Sequence, residues 1–272
     1  MHNSNLLVSI LINNYNNKIY IKQCIQSCLD QSYKNVEVII YDDNSNDGSK
    51  KVINNIKDKR IKKIFNKRRL YKSGPLNQLE GIYRSIVKAK GELIFLLDGD
   101  DFYLKSKVNK VVAEFKRNKN LKFIQDCPYF YYRKEKLKIK KEMRKKIFTL
   151  HTWPYFFPTS TMSFKKKFLI KILNYMKFSR KKYPRMFFDA RAFIYIYFFE
   201  KNFLKINQYL TLYNQNIKGD TIKNYSNKNL DWWARRYEYH KYVNSLFKKK
   251  GKYHFKFLDY YITVFINFLL KT

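Results

Sequence analysis

The chain has 272 residues, 45% of them hydrophobic, and carries 57 Lys and Arg against 21 Asp and Glu, a formal net charge of +36. That apolar content excludes a disordered polymer, and the length suits one large domain or one domain with an appendage. Such a positive field favours polyanionic partners, namely nucleic acid, anionic lipid or phosphorylated substrates. The joint over-use of Lys, Asn, Ile, Phe and Tyr, as an AT-rich genome produces, is our main explanation of the charge, with a membrane-surface role second.

The three cysteines, Cys24, Cys28 and Cys127, do not make a disulfide framework. Cys24 and Cys28 are four residues apart on a predicted helix, with no further Cys or His nearby, so we expect buried thiols and not a zinc site. The sequence shows no signal peptide and no apolar run long enough to span a bilayer. We therefore expect a cytoplasmic protein, attached peripherally at the inner face of the membrane.

Strand and helix patterns alternate through the first 115 residues. Buried apolar runs predict strands at 6–12, 36–41 and 93–97, and residues 61–65 are interpreted as a short strand. Helical spacing predicts helices at 19–29, 49–56, 76–87 and 108–115, with Ser49 as the N-cap of the second. This alternation is typical of the α/β class, a mostly parallel sheet flanked by helices.

The second half of the chain is less regular. Strands are predicted at 121–125, 129–133 and 204–213, and helices at 168–176, at 189–199 and from 229 onward. We expect one domain over residues 1–215 and a helical C-terminal appendage over residues 216–272.

Polar turns follow three of the predicted strands, at 13–17, 42–49 and 98–101. Parallel sheets bind ligands beyond the carboxyl ends of their strands. Three carboxylates at the tip of one strand suit a hard divalent cation held against a phosphorylated ligand. For each cluster alone, an ordinary Asp-rich turn is the alternative. The sequence lacks GxGxxG and GxxxxGK[ST] motifs, so phosphate chemistry would rely on a metal and side chains.

The same three stretches resemble the motifs of glycosyltransferase family 2. They are VSILINNYN at 8–16, VIIYDDNSNDGS at 38–49 and KGELIFLLDGDD at 90–101. The likeness is strong over roughly residues 6–115 and weaker to about 215. It implies the GT-A fold, a nucleotide-diphosphate sugar donor, a divalent metal cofactor (Mg²⁺ or Mn²⁺) and inversion of the anomeric centre.

The resemblance also implies roles for individual residues. Asn13 and Tyr15 match positions that touch the nucleobase, with Tyr15 able to stack on it. Asp43 matches the carboxylate that accepts a hydrogen bond from the uracil ring N–H. Asp98 resembles the first acid of the family's DxD motif, near the ribose and the metal. Asp100 resembles the metal ligand that reaches the diphosphate.

Other residues in these motifs are less clear. Asp42 orients the turn, or Asp42 and Asp43 both belong to an Asx-turn that caps a helix. Asp101 is a weaker candidate than its neighbours. Many relatives carry an Arg where this chain has Leu76 and Asn77, and three nearby residues are candidates to supply that cation: Arg68, Arg69 and Lys72.

The candidate general base lies downstream. Residues 188–191, FDAR, resemble the family's late acidic motif, which begins a helix below the acceptor site. Asp189 is the expected catalytic base, and a helix start favours its charged form. A simple N-cap is the alternative for Asp189. Arg191 either pairs with a carboxylate or is a solvated helix residue.

The resemblance implies transfer of a sugar, from a donor expected to be UDP-linked, to a hydroxyl of a surface glycan or lipid-linked acceptor. The expected partners are the nucleotide-sugar donor, a glycan or glycolipid acceptor and an anionic membrane surface, with no specific nucleic acid. For the aromatic and basic tail at 232–270, we expect core packing first and membrane docking second.

Two rival functions stay open. One is a basic nucleic-acid-binding or membrane-surface protein without catalysis, for which the sequence has no recognisable nucleic-acid reading element. The other is a sugar-nucleotide nucleotidyltransferase. Such enzymes usually carry a Gly-rich loop after the first strand, and residues 13–17 do not resemble that loop.

Overall fold

A computed structural model describes residues 5–131, 140–141, 156–177, 179–215, 230–252 and 258–269. The first part alternates as predicted: β1 (Val8–Asn14), α1 (Lys18–Leu29), β2 (Val36–Asp42), α2 (Ser49–Asn55), β3 (Ile61–Phe65), α3 (Gly74–Lys88) and β4 (Leu93–Asp98).

The second part of the chain adds shorter strands and further helices. They are β5 (Phe102–Tyr103), α4 (Lys107–Arg117), β6 (Phe123–Tyr131), β7 (Lys140–Lys141), β8 (Met162–Lys165), α5 (Lys166–Lys177), α6 (Phe188–Phe199), β9 (Phe203–Asn214), α7 (Leu230–Lys249) and α8 (Leu258–Leu269). Short 3₁₀ turns lie at Thr159–Thr161 and Arg180–Lys182.

The described strands form one sheet in the order β3-β2-β1-β4-β8-β6-β9-β5, with β7 on β6. The first four are mutually parallel, and β8 pairs antiparallel with both β4 and β6. The chain order reverses beside β1, where β2 lies on one side and β4 on the other. Open α/β sheets bind ligands at such a reversal, beyond the carboxyl ends of the strands.

Strand β1 shows why the apolar runs are continuous. Leu11 lies in the core on one face of the sheet, with side chains of α3, α5 and α6. Ile10 and Ile12 lie in the core on the other face, with side chains of α1 and α4. Successive strand residues point to opposite faces, so a strand covered on both sides needs apolar residues throughout. Cys24 and Cys28 are buried free thiols, as predicted.

Two local predictions were wrong. The strands expected at 121–125 and 129–133 are one strand, β6, whose register to β9 shifts between Gln125 and Pro128. Proline lacks the N–H that a regular ladder needs. The N-cap of α2 is Gly48, with φ of 93°, and not Ser49. The Asp47 carboxylate accepts from the Ser49 N–H at 2.9 Å and from its hydroxyl at 2.6 Å.

Helix α7 packs on α6 in the core. Tyr242, Val243 and Leu246 are buried there, and the Tyr242 hydroxyl donates to the Arg191 carbonyl at 3.1 Å. Residues 216–229, where the predicted domain boundary falls, lie outside the described residues, so that boundary stays a prediction. Among the helices that are described, none combines the length and apolar character needed to cross a membrane.

Candidate functional site at the carboxyl edge of the sheet

The strand register brings the first and third motifs together. Asn13 of β1 pairs with Asp98 of β4, and the Gly99 N–H donates to the Asn13 carbonyl at 2.8 Å. A Cβ on Gly99 would lie 2.6 Å from Oδ1 of Asn14, so the close approach of these loops requires glycine. Asp98 and Asp100 keep part of their side chains exposed, whereas Asp101 is buried.

Asp101 plays a structural role in the acidic loop. Its carboxylate accepts from the Asn214 N–H at 2.8 Å and from the Ser160 hydroxyl, which ties the acidic loop to the end of β9. Burial, then the charges of Asp100 and Asp98, raise the pKa of the Asp101 carboxyl well above its usual range.

The electrostatics of the acidic loop favour a cation. Burial and, next, repulsion by Asp100 raise the pKa of Asp98 to about 7, with Gln78 opposing the rise and Asp189 adding to it. Burial also raises the pKa of Asp100. Within the described ranges, no group of three or more His, Cys, Asp or Glu is arranged to hold a metal. Asp98 and Asp100 are the two acids of this loop with part of the side chain exposed, and Mg²⁺ commonly takes several of its ligands from substrate phosphates and water.

The second motif supplies a separate carboxylate. Asp43 is buried and accepts from Asn66 Nδ2 at 3.0 Å and Arg69 Nε at 2.9 Å. Burial raises its pKa, although these donors oppose the rise. The Arg69 guanidinium also lies 3.6 Å from the centre of the Tyr15 ring. Tyr15, Asp43 and Arg69 thus form one group beside the loop after β1.

Asp42 organises its own turn. Its carboxylate accepts from the Ser45 N–H at 2.9 Å, the Ser45 hydroxyl at 2.6 Å and Asn14 Nδ2 at 2.8 Å. The side chain is fully buried. The turn-forming role considered for Asp42 is confirmed, and Asp43 is the member of the pair that faces Arg69.

The sequence analysis left three candidates for the cation near Asn77. Of these, Arg69 is the one that contacts Asp43 in the structure. Asn77 itself has a different task. Its Nδ2 donates to the Tyr71 carbonyl at 2.8 Å, and its Oδ1 accepts from the Tyr71 N–H at 3.1 Å. Asn77 thereby fixes the loop that carries Arg69.

Gln78 joins three parts of the site, and sequence reasoning missed it. Its Nε2 lies 3.0 Å from Asp98 Oδ1, and its Oε1 accepts from the Phe188 N–H at 3.3 Å. Its carbonyl accepts from Asn13 Nδ2 at 2.7 Å. The only signal in the sequence is a polar residue early in a helix, which does not distinguish a site residue from a solvated one.

Asp189 lies in the first turn of α6, where Phe187 is the N-cap, so the N-cap alternative for Asp189 was wrong. Its carboxylate accepts from the Ala190 N–H at 2.6 Å. Burial raises its pKa to about 6, opposed by the N–H of Ala190, the charge of Arg235 and the N–H of Thr159. Gln78 links the two segments, because it contacts Asp98 and accepts from the N–H of Phe188, the residue before Asp189.

Both expectations for Arg191 were wrong. The side chain is fully buried, and its guanidinium donates to backbone carbonyls. Nε donates to Met186 at 3.0 Å, and Nη2 donates to Arg180 at 3.1 Å and to Tyr183. Arg191 therefore braces the segment that leads into α6 and Asp189.

A buried ion pair stabilises the acidic loop through Ser160. Lys107 Nζ donates to Asp126 Oδ1 at 2.7 Å and to the Ser160 carbonyl at 2.8 Å, and both side chains of the pair are fully buried. The Ser160 hydroxyl accepts from the Asp98 N–H at 3.0 Å. The position of Asp98 thus depends on residues far apart in the sequence.

Replacing Asp126 with Asn should lower the free energy of unfolding by about 3 kcal/mol, because the Lys107 charge would stay buried without its counter-ion. Urea denaturation measures this, with Asp30→Asn as the matched exposed control. Equal stability of the two variants would contradict a supporting role for the pair.

A cavity of about 660 Å³ lies at the opposite edge of the sheet, near Leu6 and Leu93, where the parallel strands begin. Six lysines line it: Lys90, Lys116, Lys119, Lys165, Lys166 and Lys167. The carboxylates gathered around Asp98 lie instead at the carboxyl ends of the strands. Since parallel sheets bind ligands at that end, the acidic edge is the candidate site.

The sequence is similar to known glycosyltransferases. Residues 9–180 match the family model described as Glycosyl transferase family 2. An uncharacterized glycosyltransferase of Haemophilus influenzae is 44% identical over 108 residues, which are 38% of this chain and 40% of that protein. The UDP-Glc:alpha-D-GlcNAc-diphosphoundecaprenol beta-1,3-glucosyltransferase WfaP of Escherichia coli is 41% identical over 106 residues, 39% and 40% of the respective chains. The matched part thus spans about two fifths of these relatives.

Solved structures share the fold. S. aureus TarS 1–349 in complex with UDP-GlcNAc gives a TM-score of 0.60 at 13% identity, covering 92% of this chain and 68% of that one. The mannosyltransferase PcManGT from Pyrobaculum calidifontis, in complex with GDP-Man and Mn²⁺, gives 0.54 at 12% identity, covering 90% and 64%. This likeness confirms the predicted GT-A type fold class. Because the family model covers more than half of the chain, the protein belongs to glycosyl transferase family 2, as its three motifs predict.

Proposed function

We propose that the protein transfers a sugar from a UDP-linked donor to a hydroxyl of a lipid-linked glycan, with inversion of the anomeric carbon. The observation that carries this proposal is the gathering of Asn13, Asp98 and Asp100 at the carboxyl edge of the parallel strands, where Gln78 joins Asp98 to the first turn of α6, which contains Asp189. Relatives named for diphosphoundecaprenol acceptors, and the UDP-GlcNAc complex of TarS, support the substrate class.

The uridine would lie at the group formed by Tyr15, Asp43 and Arg69. The Asp43 carboxylate is an acceptor for the uracil ring N–H, and the Tyr15 ring offers a stacking face. The Arg69 guanidinium can pair with phosphate oxygens in a bidentate manner. We propose it as the cation that replaces the family Arg absent at Asn77.

A divalent cation, Mg²⁺ or Mn²⁺, would be held by Asp98 and Asp100. The donor set fits, because both are carboxylates with part of the side chain exposed. A cation would also relieve the repulsion by Asp100 that contributes to the raised pKa of Asp98. When bound, the metal supplies positive charge that stabilises the leaving diphosphate. Gln78 keeps the Asp98 carboxylate oriented through its 3.0 Å contact.

Asp189 would act as the general base. Its pKa of about 6 leaves it largely ionised at neutral pH yet basic enough to accept a proton. It takes the proton of the acceptor hydroxyl while that oxygen bonds to the anomeric carbon from the face opposite the diphosphate. The bond from that carbon to the diphosphate oxygen breaks with its electron pair. The proton then rests on Asp189.

Replacing Asp43 with Asn tests the uridine site. In the wild type, UDP should bind more tightly than CDP, because cytosine lacks the ring N–H that Asp43 accepts. The variant should bind UDP about tenfold more weakly and lose the preference, since an amide can also donate to the ring nitrogen of cytosine. Isothermal titration measures both affinities, with Asp30→Asn as the control. An unchanged preference for UDP in Asp43→Asn would remove the assigned role.

We retain residues 1–215 as the catalytic domain and 216–272 as its appendage. A cytoplasmic location with peripheral attachment at the membrane is part of the same proposal, because a lipid-linked acceptor is reached only at a membrane surface.

A further inference from the structure

Helix α8 is oriented with its polar side chains inward. Asp259 and Thr263 are buried against α7, and Asn267 Nδ2 donates to the Trp233 carbonyl at 3.0 Å. These residues follow each other at intervals of four, so they form one face of the helix. A helix at a protein surface normally buries its apolar face instead.

The outward face of α8 is entirely apolar or aromatic. Phe265 is 60% exposed and Phe268 66% exposed. Every exposed residue of the helix belongs to this set: Leu258, Tyr261, Ile262, Val264, Phe265, Phe268 and Leu269. Single exposed apolar residues are ordinary, but a contiguous patch of this kind marks an interaction surface.

An ion pair holds α8 in this orientation. Arg236 Nη2 lies 2.7 Å from Asp259 Oδ2, and Arg236 Nε lies 3.0 Å from Thr263 Oγ1. The side chains of the pair are only 11% and 4% exposed. Rotating α8 to bury its apolar face would separate this shielded pair, which is strongly unfavourable. The exposed apolar face is therefore a stable feature of the fold.

Positive charge adjoins the apolar face. Arg236 contacts Asp259 while Trp233 contacts Asn267, so α7 and α8 run antiparallel. The end of α7 therefore lies toward the start of α8. Four exposed lysines lie there, Lys248 and Lys249 in the last turn of α7 and Lys250 and Lys252 just after it. The Nζ of Lys249 lies 4.2 Å from the centre of the Tyr175 ring. The chain as a whole has a net charge of +36.

We propose that α8 docks on an anionic lipid bilayer, with its outward face at the boundary between headgroups and acyl chains. An apolar helix face with flanking lysines is the pattern of an interfacial helix, and each lysine near an anionic surface adds attraction. A second copy of the chain would bring two strongly positive surfaces together, whereas anionic lipid neutralises them. This inference deepens the peripheral attachment included in the proposed function by naming the helix and the lipid, and it does not depend on the donor chemistry.

Co-sedimentation with vesicles tests the docking. The full chain should bind vesicles of phosphatidylcholine with about one third phosphatidylglycerol far better than phosphatidylcholine alone, and added salt should weaken the binding. The double variant Phe265→Ser/Phe268→Ser should bind the anionic vesicles about tenfold more weakly or worse. The matched control is Ile19→Ser/Val87→Ser, whose target residues are 65% and 78% exposed and should be replaceable without effect.

A second arm separates charge from insertion. Lys248→Gln/Lys249→Gln/Lys250→Gln should reduce binding to the anionic vesicles and flatten its salt dependence. Equal binding by wild type and Phe265→Ser/Phe268→Ser would overturn the proposal. So would sedimentation showing a dimer that this variant converts to monomer while vesicle binding stays unchanged. UDP affinity, measured on every variant, checks folding and reports separately on the donor site.

Discussion

Replacing Asp100 with Asn should lower the rate of sugar transfer by about three orders of magnitude, which corresponds to ~4 kcal/mol of transition-state stabilisation. In the proposed mechanism, Asp100 and Asp98 are the protein ligands of the divalent cation. The amide keeps the shape of the side chain and removes the charge. Initial rates with saturating donor and acceptor, measured over a range of Mg²⁺ and Mn²⁺ concentrations, give the effect.

The fold should tolerate this change, because Asp100 contributes like-charge repulsion at Asp98. The melting temperature of the variant should therefore not fall below that of the wild type. Asp30→Asn, which changes an exposed acid elsewhere, should leave the rate unchanged. Wild-type activity of Asp100→Asn at the same metal concentration would remove Asp100 from the metal site.

Replacing Asp189 with Asn should lower the transfer rate by about a thousandfold or more while leaving metal-dependent donor affinity unchanged. The difference between the two variants separates the base from the metal site. Single-turnover rates and donor titrations on the same preparations measure the two effects. Loss of donor affinity together with the rate would assign Asp189 to donor binding instead.

The pH dependence gives a second readout for Asp189. A base acts only when deprotonated, so activity should fall as pH decreases through its pKa of about 6. Because burial raises this pKa, the acidic limb should lie about two pH units above the usual value for Asp. With the metal at a saturating concentration, which would hold Asp98 and Asp100 ionised, the logarithm of the rate should fall by about one for each pH unit below that value. In Asp189→Asn the residual rate should show no such limb, and an unchanged limb in that variant would assign it to another group.

The parallel half of the sheet was predictable because three of its strands, β1, β2 and β4, are buried on both faces. Residues such as Ile10 to Ile12 are apolar without interruption, and polar turns mark where each strand ends. The pairing of Asn13 with Asp98 follows once β1 and β4 are neighbours. The strands β5 and β8 have only two and four residues, which is too short for a recognisable pattern of apolar and polar residues.

Contacts between distant residues could not be predicted from one sequence. Gln78 meets Asp98 only because α3 packs across the sheet, and Lys107 meets Asp126 only inside the folded core. A pattern of hydrophobic residues predicts which face of an element is buried, but not which polar side chain meets which. The contact between Arg69 and Asp43 was unpredictable for the same reason, because it depends on a loop that Asn77 holds in place.

In the proposed function, one site at the carboxyl edge of the sheet binds a nucleotide sugar together with a divalent cation. The most direct test is the thermal stability of the full chain against a panel of nucleotide sugars, with Mn²⁺ or with a chelator. We expect a UDP-sugar at a hundredfold excess over its Kd to raise the melting temperature by about 5 °C with Mn²⁺ and by much less with chelator. The same melting temperature with every nucleotide sugar, with and without metal, would contradict the claim.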